Sequence, residues 1–191
     1  MKNLVKLVLV SVFASAASVA SAATLDLTAN GIGNQGSQIV LGDATVDLIT
    51  GSYLHVGDFD PNTVCSYTGF SGCVGSFSIT WNYDVANVNF DYGYGNTGDS
   101  AVVQAFDAFN SLVGSVLLNL TSGTSNIDIS GLGVFRSLVF DTTAATGAGY
   151  AFGNIDFDRV AAVPLPAGGL LLLGGLGGLA ALRRRKKSAT A

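Results

Sequence analysis

The sequence predicts an all-β body, an antiparallel two-sheet β-sandwich of the jelly-roll kind, between two short apolar terminal segments. Three observations carry that prediction. Apolar and polar residues alternate with period two through most of the body, as they do on half-buried strands. Gly, Asn, Asp and Ser cluster between these runs at intervals of roughly eight to twelve residues, the turn spacing of sandwiches and barrels. All thirteen acidic residues are Asp, with no Glu anywhere. Asp suits turns and strand ends, where it caps its own backbone, whereas helices favour Glu and Lys on their wet faces.

In chain order, the candidate strands are Leu25 to Thr28, Gln38 to Leu41, Val46 to Thr50 and Tyr53 to Val56. Two alternating strands follow, one on Phe77, Ile79 and Trp81 and the next on Val88, Phe90 and Tyr92. Then come Ala101 to Phe106, a run on Val116, Leu118 and Leu120, Ile127 to Ser130, Phe135 to Phe140, and a closing strand on Ile155 and Phe157. At about 140 residues the body is large enough to bury one core.

The ends carry a different chemistry. Lys2 and Lys6 precede an apolar run from Leu7 to Phe13, and small residues then lead to Ala20-Ser21-Ala22. That order reads as a signal peptide over 1–22, cleaved between Ala22 and Ala23 by signal peptidase after passage through the Sec translocon. The exported domain then runs over 23–162. At the other end stands Val163-Pro164-Leu165-Pro166-Ala167, then a Gly/Leu run to Leu182, then Arg183-Arg184-Arg185-Lys186-Lys187 and a tail over 188–191. The prolines keep the chain extended before the apolar run. The eighteen residues from Leu165 to Leu182 would make a helix of about 27 Å against a hydrocarbon core of roughly 30 Å, so they only just span. The basic cluster is a stop-transfer signal that holds the C-terminus in the cytoplasm.

This three-part C-terminus resembles the VPLPA variety of the PEP-CTERM sorting domain of Gram-negative bacteria. The resemblance implies that a membrane-embedded exosortase cuts near residues 163–167 and transfers the protein to a surface acceptor. The chain is then the substrate of that enzyme, an inner-membrane-anchored precursor destined for the cell surface or extracellular matrix. An ordinary single-pass anchor with a Pro-rich stalk is the alternative. The segment from Ser76 to Val160 is also loosely similar to the β-sandwich bodies of such proteins and, through them, to carbohydrate-binding jelly rolls.

Removing both ends leaves Arg136 and Arg159 as the only cations beside thirteen carboxylates, a formal charge of −11. Such a surface repels nucleic acid and anionic lipid. Cys65 and Cys73, an even pair at short spacing in an exported chain, read as a disulfide. His55 stands alone on its strand, and no G-x-S-x-G or H-E-x-x-H arrangement is present, so no enzyme is expected. The pairs Asp58 with Asp60 and Asp156 with Asp158 are the default product of alternation in an acidic protein, although paired carboxylates can serve glycoside hydrolysis. Gly31-Ile32-Gly33-Asn34-Gln35-Gly36 matches the dinucleotide fingerprint, but a strand-like run follows it where a helix is required.

Two candidate sites remain. Asp58 and Asp60 in the loop Gly57-Asp58-Phe59-Asp60-Pro61-Asn62, and Asp99 elsewhere, are candidates for one structural calcium; no other cofactor is expected. Tyr92 and Tyr94, in Tyr92-Gly93-Tyr94-Gly95-Asn96, are candidates for stacking on sugar rings. The expected function is therefore a structural protein of the cell surface or matrix. The alternative is a carbohydrate-binding or adhesion module whose partner is extracellular polysaccharide.

Overall fold

A computed structural model describes residues 21–57, 60–69, 72–95, 98–119, 123–142 and 149–161. The expected signal peptide up to residue 20, the expected sorting motif 163–167, the expected membrane segment 165–182, the basic cluster 183–187 and Asp58 lie outside them. Among the described residues no helix is long and apolar enough to cross a membrane.

Among the described residues, twelve strands form the fold: β1 (Ser21–Thr24), β2 (Gly33–Asn34), β3 (Gln38–Val40), β4 (Ala44–Thr50), β5 (Tyr53–Val56), β6 (Thr63–Tyr67), β7 (Ser76–Gly93), β8 (Ser100–Phe106), β9 (Leu112–Asn119), β10 (Thr124–Asp128), β11 (Phe135–Asp141) and β12 (Ala151–Arg159). The pairings between these strands are antiparallel, and outside them Cys73 and Gly149 form an isolated parallel bridge. The all-β, antiparallel expectation is met, with one difference in construction. The twelve strands share a single continuous ladder, because β7 belongs to both layers.

The first half of β7, up to Trp81, lies between β4 and β11, and β8 and β9 extend that layer beyond β11. Its second half, from Val85, lies between β12 and β10, and β6, β5 and β2 continue beyond β12. The two layers close face to face. Phe140 of the first touches Phe90 and Phe152 of the second, with ring centroids 5.5 and 4.5 Å apart, and Trp81 meets Phe157 at 5.6 Å. These rings sit in one apolar core with Val46, Leu54, Val88 and Ile155.

The alternation on 77–81 and 88–92 reads as two strands, and the structure merges them. No Gly or Pro interrupts Asn82 to Asn87, so nothing in the chain forces a turn. The side-chain phase nevertheless changes. Odd positions point inward through Val85, and even positions do so from Val88. Asn87, in the left-handed region at φ +50°, absorbs the shift, and the pairing with β12 slips there. A one-residue slip would otherwise expose every apolar side chain of the second half.

Two further strand expectations are corrected. Leu25 to Thr28 is not a strand: Asp26 accepts a hydrogen bond from the Thr28 amide at 3.0 Å and caps a 3-10 turn over Leu27–Asn30. The strand expected to reach Ser130 stops at Asp128, whose carboxylate accepts from the Ser130 amide at 2.7 Å and opens the 3-10 turn Ser130–Leu132. Cys65 lies within β6. The predicted processing site falls in β1, where Ala22 and Ala23 pair with Asp158 and Phe157 of β12. Gly33 and Asn34 of the fingerprint-like run are strand residues, and Gln38–Val40 is strand as well.

Candidate functional site

The outer face of the second layer carries the polar residues that alternate with the core. On β7, Val88 and Phe90 point inward, so Asn89 and Asp91 point out. Asp91 stands opposite Asn126 of β10 on one side and Gly153 of β12 on the other. Asn126 donates from Nδ2 to one carboxylate oxygen of Asp91 at 2.8 Å, and Asn154 donates from Nδ2 to the other at 2.9 Å. The carboxylate is thus oriented by two amides, and each of its oxygens retains a lone pair for a ligand.

Asn154 reaches Asp91 because β12 shifts register between Gly153 and Asp156. Its backbone lies in the left-handed region at φ +46°, which Asn tolerates better than most residues. Asn62 anchors this bulge, its carbonyl accepting from the Asn154 amide at 3.2 Å and its side-chain oxygen accepting from the Leu27 amide at 2.9 Å. Gly153 permits the close approach, since a Cβ there would run into the Asn62 carbonyl and lie 3.0 Å from Thr63 Cα.

Above Asp91 lies a cleft of about 100 Å³, walled by Asp60, Thr63, Tyr92, Tyr94, Thr124 and Asn154. Tyr94 is held at φ +71°, a conformation rare for an aromatic residue and one that marks a backbone constrained by its surroundings. The constraint is visible. The side chain packs on a small cluster made of Cys65, Cys73 and Ala151, which Tyr67 also covers. The disulfide expected between Cys65 and Cys73 is formed. Burial, followed by the Asp60 and Asp91 charges, raises the pKa of the Tyr94 phenol, so it stays neutral and able to donate.

Of the two candidate tyrosines, Tyr94 faces the cleft from the disulfide and Tyr92 packs its ring against the main core at the cleft wall. Asp60 lines the cleft, whereas Asp99 is buried just before β8. Among the described residues no three His, Cys, Asp or Glu side chains are grouped to hold a metal ion. Asp156 and Asp158, the other pair, are engaged in structural contacts, with the Thr24 hydroxyl and with Asn87 Nδ2 respectively. His55 lies beside the stacked rings of Tyr53 and Tyr67 on the same outer face, at centroid distances of 6.2 and 5.8 Å from them, while the two tyrosine rings are 5.1 Å apart. Asp91, Asn126 and Asn154 escape sequence reasoning, because three strands separated by as many as 63 residues bring them together.

No protein-family model matches the sequence, and a search of the curated proteins finds no match. Solved structures of similar shape include CBM29_1, a family 29 carbohydrate binding module from Piromyces equi, which is 6% identical; the match covers 80% of this chain and 99% of that one with a TM-score of 0.47. A second carbohydrate binding module of family 29 is 15% identical over 74% of this chain and 90% of that one, at a TM-score of 0.39. A Streptococcus pneumoniae fucose binding module is 12% identical over 75% and 92%, at 0.33. At these identities and scores the likeness assigns no ligand to this chain.

Proposed function

We propose that this chain is an exported protein whose β-sandwich binds a carbohydrate at the Tyr94 cleft, and whose VPLPA-type C-terminus delivers it to the cell surface or extracellular matrix. The observation that carries the binding role is the placement of a constrained Tyr94 beside an Asp91 carboxylate already oriented through both oxygens. A sugar ring offers C–H groups to an aromatic side chain and hydroxyls to a carboxylate or amide. The cleft supplies both kinds of partner, with the exposed Thr124 adding a hydroxyl. A preformed arrangement of this kind spares the ligand the cost of ordering the side chains. The role is binding without chemistry.

A glycan array probed with the mature protein tests the binding role. Reproducible sugar binding that disappears in Tyr94→Ala and in Asp91→Ala supports it. Silence across the array, with the protein folded, removes it and leaves a structural surface protein. The sorting role rests on the three-part C-terminal pattern and is tested separately by the intact mass of the protein recovered from the native host's surface and medium. A species beginning near Ala23 and ending close to residues 163–167 is expected. A chain that retains Arg183 to Lys187 would make it a plain membrane-anchored protein.

A further inference from the structure

The Tyr94 cleft is one end of a longer polar lane. Along β7 the outward residues are Asn87, Asn89 and Asp91, and the paired outward residues of β10 are Asp128 opposite Asn89 and Asn126 opposite Asp91. Asn87, Asn89, Asn126, Asp128 and Ser130 surround a second concavity of about 530 Å³, shallower and wider than the first. The hydrogen bond from Asn126 to Asp91 joins the two. At a strand rise of about 3.3 Å per residue, the path from Asn87 to Tyr94 spans on the order of 23 Å, several times the width of a pyranose ring.

We propose that the site takes the interior of an extended, uncharged polysaccharide chain, with one sugar against Tyr94 and further sugars lying along Asp91, Asn126, Asn89 and Asp128. This rests on the carbohydrate-binding reading of the cleft and adds to it the length and charge of the ligand. Length follows from the lane, which a single terminal sugar would leave mostly empty. Charge follows from its composition.

Amides, hydroxyls and carboxylates line the lane, and among the described residues no Lys or Arg does. Both cations of the described residues are engaged elsewhere, Arg136 with Asp84 and Arg159 with Asp43, each at 2.7 Å. A uronate or sulfated chain would therefore bring its charges against Asp60, Asp91 and Asp128 with no counter-charge in reach. Asp128 keeps its charge readily, since the Ser130 backbone amide holds its pKa below the usual carboxylate range. Neutral sugars meet the opposite situation. Their hydroxyls donate to the carboxylates and accept from the amides, the pairing that a face rich in both Asn and Asp can satisfy.

Calorimetric titration of the mature protein with gluco-, manno- and xylo-oligosaccharides of graded length, and with oligogalacturonates as the acidic counterpart, tests the proposal. For the neutral series that binds, affinity is expected to rise by about tenfold or more from the disaccharide to the longest oligomer. Asn89→Ala and, independently, Asp128→Ala should bring the affinity for the long oligomer down towards that for the disaccharide, with the melting temperature of each variant confirming its fold. The acidic series should bind at least about tenfold more weakly. Equal affinity for short and long neutral chains, or equal affinity for oligogalacturonates, overturns the proposal while leaving the Tyr94 cleft as a carbohydrate site. No binding in any series overturns both.

Discussion

Reducing the disulfide between Cys65 and Cys73 gives the sharpest test of how the cleft is built. The bond joins residues eight apart and so closes a nine-residue loop. On the loop-entropy model, freeing that loop in the unfolded chain costs about 2.6 kcal/mol of stability. For a domain of about 140 residues the unfolding entropy is on the order of 0.3 kcal/mol per degree, so the melting temperature should fall by about 9 °C. The native state has reason to survive the change. Thr68 still bonds Gly72 through its amide at 3.0 Å, and the Tyr150 amide still bonds the Cys73 carbonyl at 3.0 Å. What loosens is the floor beneath Tyr94 and Tyr67. Calorimetry of the mature protein with and without reductant measures the shift, with thiol titration confirming complete reduction. The Cys65→Ala/Cys73→Ala double variant repeats it without buried thiols. A fully reduced protein melting within about 2 °C of the oxidised one would refute the reasoning, because the loop would then be as constrained in the unfolded state without the bond as with it.

Two further outcomes follow from the same geometry. Gly153→Ala should destabilise the domain by about 2 kcal/mol or more and abolish the proposed glycan binding, because its Cβ would force the Asn62 carbonyl and β6 away from the bulge that aims Asn154; chemical denaturation and the array together check this. Alkaline pH should weaken the fold through Tyr83, whose pKa is raised by burial and by the nearby Asp43 carboxylate, against the opposing Arg159, which stands 4.7 Å over the ring. A folded-state pKa above the unfolded value of about 10 means that stability is complete below pH 10 and falls as pH rises through the folded value. Tyr83→Phe should flatten that decline in a series of melting curves, and an unchanged slope would show that Tyr83 does not contribute.

Much of the fold is legible in the sequence because burial on one face of a strand writes itself as period-two alternation. Phe77, Ile79 and Trp81 are core residues, as their spacing implies, and Ala101, Val103 and Ala105 on β8 follow the same rule. The hairpin around Asp107-Ala108-Phe109-Asn110 is readable for a different reason. Asp107 accepts from the amides of Phe109 and Ser111, both at 2.8 Å, and Asn110 takes φ +62°, so the turn residues act locally. What escapes is anything that changes phase. The slip at Asn87 looks in sequence like the gap between two strands, and only pairing with β12 shows the chain continuing through it. At Leu25 to Thr28 a single Asp side chain competes with the ladder and wins, which apolar spacing cannot register.

The site divides along the same line. Tyr94 is visible as one of two aromatics in a Gly-rich turn, but its value depends on a backbone angle and on a disulfide that begins 29 residues before it. Asp91 is one of thirteen Asp residues with nothing local to distinguish it. Its distinction is conferred by Asn126 and Asn154, which arrive from β10 and β12 on opposite sides of β7. A central strand is therefore the position from which an outward carboxylate can be gripped through both oxygens at once, while an edge strand offers a neighbour on one side only. The frame shift in β12 completes the arrangement by turning Asn154 out while Ile155 stays in the core. The irregularity that hides the strand's register from sequence reading is thus the same one that builds the cleft.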